Sequence, residues 1–487
     1  MTLSPDPCMP VEARDIAAWH AESDVLVVGY GGAGACAALE ASAGGARVII
    51  LEAASDGGGT TALSGGQIYL GGGTPIQQAC GFSDTREDME AYIRIAAGAN
   101  ADADKIRVYC EGSLAHFDWL VAQGVVFNPE YYGGKHTNTP EYQSLTWSGN
   151  EKGFRESQAA TPAPRAHKPK AFWEDGGATL MATLKAAVAR APIRVEVDTR
   201  ALSLIREEGR IIGVLCRQDG ELRAFRAQRG VVLSAGGFVM NREMVAKYAP
   251  RLQDATPIGN PNDTGGGILL GIGAGGAAIN MSEGFISVIW YPKGAFCEGV
   301  FVNEQGQRFV NEDCYHARGG HHCLNQSGRK AYMVVDSAIF TEPPLYANAQ
   351  VKEVGESFEE LERDAGFPEG TLTATLATYN RFAAKGEDPL FHKHRDFLRP
   401  LDKPPYALLD FSIDTGIYYP SFTLGGLDTT VDGEVRRPNG TVITGLYAAG
   451  RNAAGLPRSG EGYASGFSVG DATFFGRRAG RAAAGNA

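Results

Sequence analysis

The chain has 487 residues, 44% of them hydrophobic and 21% charged, and a formal net charge of −11 at pH 7. That acidity, without a basic stripe, argues against nucleic acid as a partner, and no run approaches the ~20 uninterrupted apolar residues of a membrane span. Eight scattered cysteines with no Cys-x-x-Cys pair argue against a disulfide framework, an iron–sulfur cluster and an attached haem, so a cytoplasmic, reducing setting is expected.

The length accommodates two or three domains. Residues 1–7 lack a basic stretch and an apolar core, so no leader peptide is expected. The first predicted element is a buried strand, Val25-Leu26-Val27-Val28. It runs into Gly29-Tyr30-Gly31-Gly32-Ala33-Gly34 and then an alanine-rich helix. A second strand, Val48-Ile49-Ile50-Leu51, ends on Glu52, 18 residues beyond Gly34. Gly-x-Gly-x-x-Gly alone is weak. Between a strand and a helix, with an acid at that distance, it marks a dinucleotide site. Gly29 permits the tight turn, Gly31 lets a pyrophosphate approach the backbone, and Gly34 lets helix and strand pack closely. The helix N-terminus at Gly32 and Ala33 turns free N–H groups and a positive dipole end to the phosphates. Glu52, with Ala53 beside it, is placed to accept from an adenosine ribose.

A second glycine-rich turn, residues 56–66, follows the ribose acid directly. It favours FAD over NAD, because it suits a cofactor that continues past its pyrophosphate. Gly59, Thr60, Thr61, Ser64, Gly65 and Gly66 offer small residues and hydroxyls to a ribityl chain and a ring edge. Residues 127–173 are polar, aromatic and proline-containing, and are predicted as long loops, which are often functional. Residues 193–216 alternate short apolar runs with turns and predict a β-meander. Val231-Val232-Leu233 reads as another buried strand of the opening sheet and Leu446-Tyr447-Ala448 as its last. Between them, residues 301–310 predict a hairpin around Gln305-Gly306. Leu372, Leu376, Tyr379 and Phe382 fall at helical spacing. His321-His322-Cys323, near Cys314 and His316, fits no common zinc spacing, so no metal is expected.

From the second glycine-rich turn onward the chain resembles the flavoprotein family of fumarate reductases, succinate dehydrogenases and 3-ketosteroid dehydrogenases. The resemblance extends to Ser234-Ala235-Gly236-Gly237-Phe238, Asn262-Asp263-Thr264-Gly265-Gly266-Gly267, Ala274-Gly275-Gly276-Ala277 and Gly445-Leu446-Tyr447-Ala448-Ala449-Gly450. It implies an α/β fold: a Rossmann-like FAD-binding domain of the glutathione-reductase type, formed by residues 1–285 and 405–487, with an inserted α+β cap domain at 286–404. It adds Ala201, Ala235, Gly236, Asp263, Gly450 and Ser468 to the residues expected on FAD. Succinate dehydrogenases bind flavin covalently through a histidine at the position of Gly59, so non-covalent FAD is implied.

Fumarate reductases place a proton-donating arginine four residues after the glutamate matching Glu312, where this chain has His316. They bind substrate carboxylates with a histidine and an arginine near the C-terminus, and the matching residues 450–463 contain no histidine. In their place stand Tyr315 in the cap and the run Tyr463-Ala464-Ser465-Gly466. This pairing is similar to the 3-ketosteroid Δ4-(5α)-dehydrogenases of the family. So are residues 474–480, Gly149-Asn150-Glu151-Lys152, Pro162-Ala163-Pro164-Arg165 and Phe238-Val239-Met240-Asn241.

Desaturating a ketone at its α,β positions removes a proton from the α-carbon and a hydride from the β-carbon. The hydride goes to flavin N5, so the cofactor takes the hard step. The resemblance implies Tyr463 and the Gly466 N–H on the C3 carbonyl, as an oxyanion hole. Ser465 would relay the C4 proton to Tyr315; exchanging the two tyrosines fits equally well. A relay of this kind needs a lowered pKa, because free tyrosine titrates near ~10. For His316 a structural hydrogen bond is expected. Phe285, Trp290, Tyr291, Phe296, Tyr418, Tyr419, Phe422 and Phe467 offer an apolar slot for a flat steroid. The expected partners are that steroid and an external electron acceptor, a quinone or a flavoprotein. Δ1-dehydrogenation of a 3-ketosteroid, and reduction of a small enoate held by Arg318, Arg451 or Arg458, stay open as alternatives. A flavin-binding sensor or structural protein is a third.

Overall fold

The computed structural model describes residues 8–291, 294–340 and 349–485. Residues 1–7, read above for a leader, lie outside them. The main body is a nine-stranded sheet. Ala21–Val28 pairs in parallel with Val48–Leu51 on one side and Glu221–Leu233 on the other. Ile193–Glu196 extends the sheet beyond Val48–Leu51, and Val442–Ala448 joins the far end of Glu221–Leu233. Val25, Leu26 and Val27 are wholly buried. Parallel strands covered on both faces carry continuous apolar runs, which is why this part is readable from sequence.

The predicted meander is present and longer than expected. Thr199–Glu207, Arg210–Gln218 and Glu221–Leu233 run antiparallel. Their reversals are two-residue turns, Glu208-Gly209 and Asp219-Gly220, with all four residues at positive φ. Such turns match the strand twist, so the ladder continues past Cys216. Residues 127–173 are not wholly loop. Tyr131–Tyr132, Leu145–Thr146 and Ala166–His167 form a small sheet with Ile68–Tyr69, and Phe154–Ala159 is a short helix. Strands of two residues leave no period to read.

The helix Phe467–Ala483 lies on the helix Gly32–Ala43 through small residues. A Cβ added at Gly476 or Gly480 would run into the backbone of Ala33 or Ala37. This close approach brings the N-terminal ends of both helices to one cavity.

Val300–Asn303, Ala331–Asp336, Tyr406–Asp410 and Gln350–Gly355, in that order, form a separate antiparallel sheet. Tyr406–Asp410 is an inner strand of it, beyond the 404/405 division read from sequence, because Leu408 and Leu409 are wholly buried in its core. Phe358–Ala365 and Thr371–Ala383 belong to the same core through Leu361, Leu372 and Leu376. The turn at Gln305-Gly306 forms, closed by Asn303 N–H to the Gln307 carbonyl at 2.9 Å. Its return arm makes one bridge, Val302 to Arg308, and then leaves the sheet.

That arm leads into a buried charge cluster. Glu312 receives Arg308 through Nε at 2.9 Å and Nη2 at 2.8 Å, Lys393 Nζ at 3.1 Å and the Phe301 N–H at 2.9 Å. Burial alone would raise the Glu312 pKa, but Arg308 and Lys393 hold it below the ordinary carboxylate range. Its folded pKa is therefore depressed. The contribution to stability is complete above the ordinary value of 4.5 and lost as pH falls below it. Glu312→Gln leaves buried Lys393 without a carboxylate and Arg308 with Asp388 alone, at 2.9 Å, and is expected to cost about 3–5 kcal/mol. Denaturant unfolding at neutral pH checks this, and an unchanged midpoint would contradict it. Among the described residues no helix is long and apolar enough to cross a membrane.

Candidate active site

A cavity of about 540 Å³ opens where the two helix N-termini and residues 59–66 meet Phe285, Ser287, Ile289, Tyr315 and His316. Gly29, Gly31, Gly32, Ala33, Glu52, Ala53, Gly59, Thr60, Thr61, Ser64, Gly65 and Gly66 line one part of it. So do Ala201, Ala235, Gly236, Asp263, Gly450 and Ser468. Gly34 stands behind the wall, where a Cβ would strike the Gly29 carbonyl. Gly29 has φ +102°, and a Cβ there would lie 2.6 Å from the Ser234 carbonyl. The space suits a dinucleotide. A Cβ built on Gly31 meets nothing nearer than 3.9 Å, so this backbone borders open room under the helix N-terminus.

Several of these side chains hold the wall itself. Glu52 accepts the Tyr30 N–H at 2.7 Å and the Ala54 N–H at 2.8 Å, leaving each oxygen one lone pair for a ribose. Thr60 Oγ1 donates to Asp263 Oδ2 at 2.6 Å. Thr61 Oγ1 accepts the Gly32 N–H at 3.2 Å, and Ser64 Oγ donates to the Thr61 carbonyl at 2.7 Å. The hydroxyls expected on a ribityl chain thus also brace the turn.

The four residues expected to act on substrate converge on the same cavity. Tyr315 caps the helix His316–Leu324, and Ser465 immediately precedes Gly466, which caps Phe467–Ala483. Their hydroxyls, 150 positions apart in sequence, are 2.6 Å apart. The Gly466 N–H has no acceptor among the described residues. Gly466 has φ +91°, and a Cβ would strike the backbone at Tyr69 and Ile68. The Tyr463 hydroxyl is engaged by Ser468. It lies 2.9 Å from Ser468 Oγ and accepts the Ser468 N–H at 3.2 Å. A carbonyl in the cavity would replace Ser468 Oγ as the acceptor while the N–H keeps the phenol oxygen in place.

Two expectations need correction. The relay contains no lowered pKa: burial pushes Tyr315 and Tyr463 up, outweighing the Ser465 and Ser468 hydrogen bonds. No cation pairs directly with either phenol among the described residues, and the Arg451 charge near Tyr463 offsets only part of its desolvation. His316 makes no structural side-chain hydrogen bond through Nδ1, which has no partner among the described residues. Burial, with Lys135 nearby, pushes its pKa down to about 3, and its neutral ring lies 3.9 Å from that of Tyr315.

The arginines that favoured a small enoate are all engaged. Arg318 pairs with Glu156 and Arg451 with Asp263. Arg458 donates to the Gly455 and Ala454 carbonyls at 2.7 and 3.0 Å. Of the expected aromatic slot, Phe285, Tyr418 and Phe422 line the cavity, with Phe285 and Phe422 stacked at 4.5 Å. Trp290, Tyr291, Phe296, Tyr419 and Phe467 are core residues instead. Ile289 and Pro420 complete the apolar wall; no motif singled them out. His322 lies 3.3 Å from Glu461. Among the described residues no group of three His, Cys, Asp or Glu side chains is arranged for a metal.

A protein-family model described as FAD binding domain matches residues 24–463. A solved structure of 3-ketosteroid Δ4-(5α)-dehydrogenase from Rhodococcus jostii RHA1, in complex with 4-androstene-3,17-dione, is 40% identical. It aligns over 98% of this chain and 99% of that one, with a TM-score of 0.93. The 3-oxo-5-alpha-steroid 4-dehydrogenase of Comamonas testosteroni is 27% identical over 91% of this chain and 95% of its own length. The cytochrome-type fumarate reductase of Shewanella frigidimarina is 28% identical over 96% of this chain and 77% of its own.

Proposed function

The chain belongs to the FAD-binding domain family of the fumarate reductase and 3-ketosteroid dehydrogenase type, and from that premise we propose that it is a 3-ketosteroid Δ4-(5α)-dehydrogenase. It removes one hydrogen each from C4 and C5 of a 3-keto-5α-steroid. The observation that carries this reading is the buried Tyr315–Ser465 hydroxyl pair at 2.6 Å, facing the cavity that the dinucleotide turn also lines. The cavity presents apolar rings, and its two arginines are engaged, Arg451 with Asp263 and Arg200 with the Asn262 amide oxygen at 2.7 Å, which suits an uncharged polycycle and not a dicarboxylate.

Glu52, the Gly31–Ala33 backbone and residues 59–66 would hold FAD, non-covalently, because Gly59 offers no histidine. When bound, the flavin supplies the acceptor for the hydride leaving C5. Residues 286–404, together with Tyr406–Asp410, form the cap that closes over the steroid. Tyr463 and the Gly466 N–H stabilise negative charge developing on the C3 oxygen. Ser465 takes the C4 proton as it passes its own to Tyr315, and the C4–H electron pair becomes the C4–C5 double bond. Ser465 stands just before the N-terminus of the helix Phe467–Ala483, the end of a helix where negative charge is favoured. The proposed electron acceptor is an external quinone or flavoprotein, and the proposed setting is cytoplasmic.

The raised Tyr315 pKa fixes the sign of the pH dependence. The proton-accepting phenolate is a minor species below the ordinary value of 10 and grows tenfold per pH unit. The rate of flavin reduction is expected to climb with a log–log slope near 1 to pH 10 without levelling. A plateau near neutrality would contradict Tyr315 as the acceptor. Substrate choice tests the position of attack. With an artificial acceptor, 5α-androstane-3,17-dione is expected to turn over and 4-androstene-3,17-dione not. Turnover of the 4-ene would make the activity Δ1-dehydrogenation.

A further inference from the structure

We propose that the turn at residues 148–151 is the clamp that sets the separation of the two relay hydroxyls, with Asn150 as its positioning residue. The turn touches both partners from one side. Asn150 Oδ1 accepts the Tyr315 N–H at 2.8 Å. The Ser148 carbonyl accepts the Ser465 N–H at 2.6 Å. Tyr315 belongs to the cap segment and Ser465 to the C-terminal segment of the chain. No other turn among the described residues hydrogen-bonds to both of their backbones.

The turn is rigid for a stated reason. Glu151 is buried and forms no ion pair among the described residues. Its Oε1 accepts the Ser148 N–H at 2.8 Å and the Ser148 hydroxyl, and its Oε2 accepts the Gly149 N–H at 2.8 Å. A carboxylate satisfied by three donors within its own turn locks that turn. The Asn150 N–H is fixed by Tyr92 Oη at 3.2 Å, and the Asn150 carbonyl receives the Gly153 N–H at 2.7 Å. Proton transfer between two hydroxyls falls off steeply with separation, so a device holding them at hydrogen-bond distance acts on the chemical step and not on steroid binding.

The proposal rests on the function assigned above, and two readouts separate them. Crystals of Asn150→Ala holoenzyme report the clamp without any activity: the Tyr315–Ser465 hydroxyl separation is expected to exceed 3.5 Å. A retained 2.6 Å contact overturns the clamp whatever the substrate. A double-mutant cycle on anaerobic flavin reduction by 5α-androstane-3,17-dione gives the second. Asn150→Ala is expected to slow reduction ~10–100-fold with the half-saturating steroid concentration unchanged, and less than ~2-fold when Ser465 is already alanine. Equal losses in both backgrounds overturn the clamp, because a general structural defect adds. Asn150→Ser, with a hydroxyl too short to reach Tyr315, runs through the same cycle and crystals should Asn150→Ala not fold. An unsubstituted enzyme that the steroid does not reduce overturns the function, and the crystallographic distance then decides the clamp alone.

Discussion

Ser465→Ala is expected to lower the rate of flavin reduction by 3-keto-5α-steroid ~10²–10⁴-fold, the range for losing a positioned proton-transfer group. In the proposed relay Ser465 Oγ stands between substrate and Tyr315, and no second hydroxyl hydrogen-bonds to the Tyr315 phenol among the described residues. Its backbone role survives the substitution, because the Ser465 N–H still reaches the Ser148 carbonyl. Bound FAD and the thermal midpoint should therefore hold, and half-saturation should barely move. Tyr315→Phe is expected to match the loss and to flatten the rise of rate with pH. Stopped-flow reduction with C4-deuterated steroid checks both: a larger isotope effect follows if proton removal becomes more limiting. A loss below ~5-fold with either substitution would remove the pair from the mechanism.

Tyr463→Phe is expected to cost ~10²–10³-fold in the same reaction, as for removing one oxyanion donor. The ring is retained among Phe285 at 4.9 Å, Phe422 at 5.6 Å and Phe467 at 5.9 Å, so packing persists and only the hydroxyl is lost. The Gly466 N–H remains, which leaves residual activity. The loss should fall on the maximal rate more than on half-saturation, because charge on the C3 oxygen is greatest in the transition state. A change confined to half-saturation would make Tyr463 a ground-state contact. Steady-state kinetics with 5α-androstane-3,17-dione distinguish the two.

The nucleotide half was legible because its physics is local. A doubly covered strand shows as an unbroken apolar run, and a glycine turn between strand and helix fixes its own geometry. The cap was less so. Gln350–Gly355 is almost wholly exposed, and Tyr406–Asp410 follows two prolines, so neither shows an alternating pattern. The position of each relay hydroxyl followed from family resemblance, but their contact joins residues 315 and 465 and no spacing encodes it. Of the 148–151 turn only Gly149-Asn150-Glu151-Lys152 stood out, as part of the family resemblance, since the turn's work lies in one carbonyl and one amide oxygen. The pKa directions went against expectation for a reason sequence does not carry, the burial of both phenols.

The most direct measurement is anaerobic titration of the purified holoenzyme with 5α-androstane-3,17-dione, following the oxidised-flavin band near ~450 nm and identifying the steroid product. Stoichiometric bleaching with formation of 4-androstene-3,17-dione is the predicted result. A flavin that stays oxidised, or a 1-ene product, would contradict the assignment.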